Sequence, residues 1–187
     1  FNFRPDLKTA AMLLRLKERN AHTIFGAIGD ELAKGGVTLI DALPWLGQAI
    51  PGGDFHLGPK LSRQQQDDIA FGCRLAKEVS RLEIGQSIVV KEGTVLAVEG
   101  FEGTDACLRR GGELAGPKGG AVAVKVARKN HDMRFDIPCI GRRSLESCAA
   151  SAIAVLAVES SKTILLEREE VESLSQAHGI TVTTVTP

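Results

Sequence analysis

The chain has 187 residues, 43% of them apolar and 25% charged, the balance of a globular protein long enough for one generous domain or for one domain and part of another. Lys and Arg total 23 and Asp and Glu total 23, so no net field draws in nucleic acid or an anionic membrane. With only 4% aromatic residues a stacking platform for single strands is disfavoured, and no apolar run reaches the ~18 residues that span a bilayer.

In chain order, Asp6 caps a helix over residues 7–19, with Leu7, Ala10, Ala11 and Leu14 at helical spacing and Arg15, Lys17 and Arg19 in its last turns. A second helix fits 22–34, with Ile24, Ile28 and Leu32 on one face, and Gly35-Gly36 ends it. Val37–Ile40 reads as a short buried strand. Three such elements cannot enclose a core, so residues 1–50 read as the remnant of an N-terminal α/β domain with its linker. Glycines and prolines crowd residues 47–59 and mark that linker. The chain starts at Phe1 without Met, which fits a leader or domain ahead of it; no signal-peptide pattern is present.

Ser62 and Gln65 form a capping-box pattern that opens a helix to about Leu82, with Ile69, Gly72, Cys73, Ala76 and Val79 on one face. Ser87–Val90 and Val95–Val98, separated by Lys91-Glu92-Gly93-Thr94, predict a hairpin. A helix over 104–114, a Gly-rich loop and a strand at Ala121–Ala127 follow, with another short strand near Arg134–Ile137. Ser144 caps a helix to about Ala152. Ala154–Val158 and Thr163–Leu166 read as strands. A helix over 168–178 ends at Gly179, and Ile180–Val185 closes the chain as a strand. This alternation argues for a mixed α/β domain over residues 58–187. Cys73, Cys107, Cys139 and Cys148 form no C-x-x-C pair and read as reduced, mostly buried thiols of a cytosolic protein.

Three clusters in this second domain suit chemistry. The run Glu99-Gly-Phe-Glu102-Gly-Thr104-Asp105 leaves a strand and enters a helix, where acids meet a metal or substrate in an α/β crevice. Its plainer reading is a helix start, with Thr104 as N-cap, Asp105 in the first turn and Glu102 in solvent. Gly116-Pro117-Lys118-Gly119-Gly120 offers backbone N–H groups and a cation to a phosphate, or is only a turn. It lacks the spacing of a Walker A loop. Residues 125–138 gather Lys125, Arg128, Lys129, Arg134, Asp132 and Asp136 around His131. Carboxylates hold Mg²⁺ and cations neutralise phosphoryl oxygens, so the mixture suits phosphoryl chemistry; an exposed loop of ion pairs is the alternative. Asp132 and Asp136 share a face in either a helix or a strand. His131 is a lone His, and His22, His56 and His178 have no ligand spacing. Trp45 and the phenylalanines read as core. No G-x-S-x-G supports serine hydrolysis.

In order, Gly85–Val90, Val95–Glu99, Glu102-Gly-Thr-Asp-Ala106, Val124-Lys-Val-Ala127 and Asp132-Met-Arg-Phe-Asp-Ile-Pro138 with Ile140-Gly141 resemble the LpxI-type UDP-2,3-diacylglucosamine pyrophosphatases. The resemblance covers 58–187 well and 1–50 loosely. It implies a C-terminal catalytic α/β domain of the family's own fold joined to an N-terminal one. It implies cleavage of a lipid-linked sugar nucleotide to UMP and 2,3-diacylglucosamine 1-phosphate in lipid A biosynthesis, with Mg²⁺ or Mn²⁺. A cytoplasmic protein in peripheral contact with the inner membrane, and a homodimer, are compatible with it. Carried over by motif, Asp136, Asp105 and Lys125 would be catalytic. Arg134, Thr104, Lys118, Gly119 and Gly120 would bind substrate, and Asp136, Asp105, Glu102 and Asp132 would serve a metal. The rival expectations are a non-catalytic sugar-nucleotide or lipid-binding module and a pyrophosphatase for another nucleotide.

Overall fold

A computed structural model of the chain describes residues 6–17, 21–128 and 132–187, without the side chains of Ala21 and His22. The chain separates into two compact units, one of Phe1–Pro44 with Asp132–Asp136 and one of Trp45–His131 with Ile137–Pro187.

The first unit is built on two helices, α1 (Leu7–Arg15) and α2 (Ala21–Lys34). The Asp6 carboxylate accepts from the Thr9 N–H at 2.7 Å and satisfies one of the free donors that every helix start exposes. The expected apolar face of α1 is not buried: Leu7 is 92% exposed and Leu14 75%. Glu31 of α2 takes the ammonium groups of both Lys8 (2.7 Å) and Lys34 (2.9 Å). Those two hydrogen bonds hold its carboxyl down at about 2. Gly36, at φ +81°, ends α2 as the glycine pair predicted. Val37–Ile40 is not a strand. Val37 and Ile40 are exposed, and among the described residues no strand pairs with them to complete a ladder.

The second unit begins with two short 3₁₀ turns, Leu43–Trp45 (its last residue) and Gly47–Ala49. The punctuated segment then contains a strand, β1 (His56–Leu57). Trp45 is 78% exposed and is no core residue. α3 (Arg63–Arg81) starts at the expected capping box: Gln65 N–H donates to Ser62 Oγ, and Ser62 N–H to Gln65 Oε1. The strands β2 (Ser87–Lys91) and β3 (Thr94–Val98) form the expected hairpin. Glu92 and Gly93 both adopt positive φ, the two-residue turn that matches strand twist. Buried Asp68 of α3 accepts the N–H groups of Glu92 (2.9 Å) and Gly93 (2.8 Å), which ties helix to turn.

Next come α4 (Thr104–Ala115), β4 (Ala121–Lys125), β5 (Cys139–Ile140) and α5 (Arg142–Ala150). They are followed by β6 (Ile153–Glu159), β7 (Ile164–Leu165), α6 (Arg168–His178) and β8 (Thr181–Val185). The strand expected at Arg134–Ile137 is instead a turn, and the short strand lies later, at Cys139. Gly141, not Ser144, is the N-cap of α5. Ser144 is three residues in, where its hydroxyl accepts the Gly141 N–H.

The main sheet has the order β1-β8-β6-β4-β2-β3, and β5 pairs with β7 apart from it. β4, β6 and β8 are mutually parallel, and β2 runs against both β3 and β4. Alternation along each strand divides the core between the two faces. Ile88, Val90, Val122, Val124, Val155 and Ala157 pack with Ile69, Cys73 and Ala76 of α3. Val89, Ala123, Leu156, Val158 and Val182 pack with Cys107, Leu108, Leu145, Cys148 and Val171 from α4, α5 and α6. The unit is therefore a mixed sheet between two helical layers, an α/β fold. Cys73, Cys107 and Cys148 are buried free thiols, and burial pushes Cys107 and Cys148 up to about 12. Cys139 is exposed. Among the described residues, no helix is long and apolar enough to cross a membrane.

Candidate active site

The strand directions decide where the candidate residues meet. β3, β4, β6 and β8 run the same way, so Glu99, Lys125 and Glu159 leave the sheet at one edge, beside Ser87 at the start of β2. Carboxyl ends of parallel strands are where α/β sheets open a crevice.

Lys125 ends β4. Its ammonium lies 3.4 Å from Thr104 Oγ1 and 3.5 Å from the Cys139 carbonyl oxygen, two long contacts that leave it able to bind an anion. Thr104 is the first residue of α4, and Gly103, at φ +82°, takes the N-cap position. The Thr104 hydroxyl donates to Glu99 Oε1 at 2.9 Å. A hydroxyl has one proton, so in this arrangement Thr104 does not donate to a phosphate. Glu99 is 7% exposed, and its second oxygen accepts the Gln86 N–H at 3.3 Å.

Asp105, in the first turn of α4, accepts the Ser147 hydroxyl of α5 at 3.0 Å. Both border a polar notch with Arg109, Arg143 and Glu146. Glu102 is exposed, as its plainer reading has it. It accepts the Gly100 N–H at 3.1 Å and pairs with Arg110. Its own backbone N–H, and then the Arg110 guanidinium, hold its carboxyl below the usual range.

Lys118, Gly119 and Gly120 are not brought to this edge. They precede β4, whereas Lys125 ends it, and five strand residues span about 13 Å. Their backbone groups are engaged locally, with Gly119 N–H on Gly116 O and Gly120 N–H on Ala152 O.

The remaining candidates belong to the first unit. Asp132 grips Arg134 as a fork, Oδ1 to Nε at 2.8 Å and Oδ2 to Nη2 at 2.6 Å. The N–H groups of Phe135 and Asp136 donate to the Asp132 carbonyl, which closes a turn. Phe135 stacks on Phe25 with ring centroids 5.4 Å apart. Asp136 is half-buried. Arg19, Lys129 and His131 lie outside the described residues, as does the His22 side chain.

Among the described residues, no three His, Cys, Asp or Glu side chains gather around a common point. Glu102 and Asp132 are each held by an arginine. Mg²⁺ commonly takes only one or two carboxylates together with substrate phosphates, so a carboxylate such as Asp105 suits it without a protein cage.

Residues 54–183 match the family described as the LpxI C-terminal domain. The chain belongs to the LpxI family. It is 32% identical over 190 residues to UDP-2,3-diacylglucosamine pyrophosphatase LpxI of Caulobacter vibrioides, an alignment that covers 97% of this chain and 67% of that relative. Every candidate named above from Gln86 to Glu159 falls inside the LpxI C-terminal match.

Sequence reasoning gave no role to Glu159 or Lys77 and named Glu99 only within an acidic run; all three are buried or half-buried in this LpxI domain. Glu159 is 2% exposed; it accepts Lys77 Nζ at 2.6 Å and the Ala127 N–H at 2.8 Å through one oxygen and Lys162 through the other. Lys77 also donates to the Ala127 carbonyl at 2.8 Å. The pair thus satisfies both backbone groups of Ala127, just beyond β4. The third group is Glu99. The available signal was a Glu directly after an apolar run, at Val158-Glu159 and Val98-Glu99, where a solvated strand end is the default reading.

Proposed function

We propose that this LpxI-family chain hydrolyses the pyrophosphate of UDP-2,3-diacylglucosamine, giving UMP and 2,3-diacylglucosamine 1-phosphate with the aid of Mg²⁺. The observation that carries the reading is the identity over nearly the whole chain with a relative of that named activity. The Lys125, Thr104, Asp105 constellation at the sheet edge supports it.

In the reaction, water adds at the phosphorus on the sugar side and the P–O bond to the UMP moiety breaks. Lys125 neutralises the phosphoryl oxygens as charge builds there. Arg134, locked by Asp132, presents its remaining N–H groups to phosphate. Asp136 orients the water, and Asp105 provides the second carboxylate. A bound divalent cation would supply further charge neutralisation, with carboxylates as its donors.

UMP release from UDP-2,3-diacylglucosamine, followed with Mg²⁺ and with EDTA, tests the proposal. Release with Mg²⁺ and none with EDTA is expected. Asp136→Ala is expected to abolish turnover while substrate binding persists. Binding without hydrolysis by the unaltered chain would instead favour a non-catalytic sugar-nucleotide-binding module. Hydrolysis of other nucleotides alone would favour a related pyrophosphatase.

A further inference from the structure

We infer that Glu99 is a positioning residue that acts through Thr104 to aim the Lys125 ammonium at the substrate. The inference rests on the catalytic reading of Lys125 given above. The direction of the hydrogen bonds follows from donor chemistry. An ammonium only donates and an ionised carboxylate only accepts, so the hydroxyl between them must receive from Lys125 and give to Glu99. The links are Lys125 Nζ to Thr104 Oγ1 at 3.4 Å and Thr104 Oγ1 to Glu99 Oε1 at 2.9 Å. Ser87 Oγ, 3.5 Å from Thr104 Oγ1, flanks the same oxygen.

The carboxylate is itself fixed. Its second oxygen takes the Gln86 N–H, its backbone N–H donates to Ser87 O at 2.9 Å, and Gly85 packs directly on its carbonyl. A Cβ at position 85 would overlap that carbonyl oxygen, so the close approach requires Gly85. A buried carboxylate with both oxygens assigned holds one rotamer. Thr104 is thereby held with its lone pairs toward Lys125.

Glu99→Gln is nearly isosteric but offers only one acceptor oxygen. Its amide NH₂ must then face either the Gln86 N–H or the Thr104 hydroxyl. If it faces the hydroxyl, Thr104 must accept from both the amide and the ammonium, and its own proton loses the carboxylate. Thr104→Val deletes the link, and Thr104→Ser restores it.

Two measurements on the 187-residue chain test the inference. Competitive acetylation of lysines, read by mass spectrometry with Lys77 and Lys91 as internal references, reports on Lys125 without any turnover. Faster labelling of Lys125 is expected in Glu99→Gln and Thr104→Val, with recovery in Thr104→Ser. Unchanged Lys125 labelling in both variants would overturn the inference whatever the enzyme does. In hydrolysis of UDP-2,3-diacylglucosamine, kcat is expected to fall about 10- to 100-fold in the same two variants at little-changed KM. Most of that loss should return in Thr104→Ser. A loss confined to KM, or no recovery in Thr104→Ser, would also overturn it. An inactive unaltered chain with the expected labelling pattern would count against the catalytic reading of Lys125 alone.

Discussion

The single residue with the most to hold is Glu159. Burial by itself would raise its carboxyl pKa, but Lys77, Lys162 and the Ala127 N–H outweigh that, and the value lies below the usual range. The unfolded chain therefore binds this proton more readily, near the ordinary value of about 4.3. Its contribution to stability is complete above that pH and disappears as pH falls through the lower folded value. Lys77→Met leaves Glu159 buried with only the half-exposed Lys162 opposite it. That change should cost about 3 kcal/mol at neutral pH, the low end for breaking a buried pair. Urea unfolding at pH 7 and at pH 4 checks both points. The penalty should shrink at the lower pH, and equal midpoints for the two proteins at pH 7 would show the pair to be dispensable.

At the scale of elements, helix α4 presses on its neighbours through glycine. A Cβ on Gly111 would lie 2.5 Å from Val89 Cβ, and one on Gly112 would overlap the Ser151 carbonyl oxygen. Alanine in a helix interior gains about 1 kcal/mol over glycine. Overlap with backbone costs about 1–3 kcal/mol or more, because a carbonyl cannot swing aside as a side-chain tip does. The overlap wins, so Gly112→Ala should lower the urea midpoint. A raised midpoint would mean that α4 and the end of α5 are free to separate. The same close packing brings Asp105 of α4 within hydrogen-bond reach of Ser147 of α5. In the sequence, Gly111-Gly112 looks only like a weak stretch of helix. What makes these glycines necessary is what packs on them, β2 at Gly111 and the end of α5 at Gly112.

At the scale of the whole chain, the two units differ in what they bury. No described residue of α1 is buried, whereas β4 and β6 are almost wholly so. Slow amide exchange requires burial and a closed ladder. Backbone amides of α1 should therefore exchange far sooner than those of Val122–Val124 and Val155–Val158, as hydrogen–deuterium exchange by mass spectrometry would show. Equal protection would mean that α1 is covered by a surface beyond the two helices.

Local signals in the sequence determined much of this protein. The Asp6 cap, the Ser62–Gln65 box, the Glu92-Gly93 turn and the Gly179 stop each act within four residues, so pattern alone located α1, α3, the hairpin and α6. The ordered motifs likewise sufficed for the family. Only the tertiary structure decided the rest, because it depends on partners distant in sequence. Val37–Ile40 has strand composition but, among the described residues, no strand to pair with, and His56–Leu57 becomes a strand by pairing with β8, more than a hundred residues on. Lys118–Gly120 and Lys125 are close in sequence, yet an intervening extended strand places them at opposite ends of β4. Glu99 reads only as the head of an acidic run, and Glu159 only as the residue after a strand, until the parallel order of β4 and β6, and the close approach at Gly85, put donors against their oxygens. Burial of a charge is settled by what folds over it, and that information lies in the contacts rather than in any one stretch of chain.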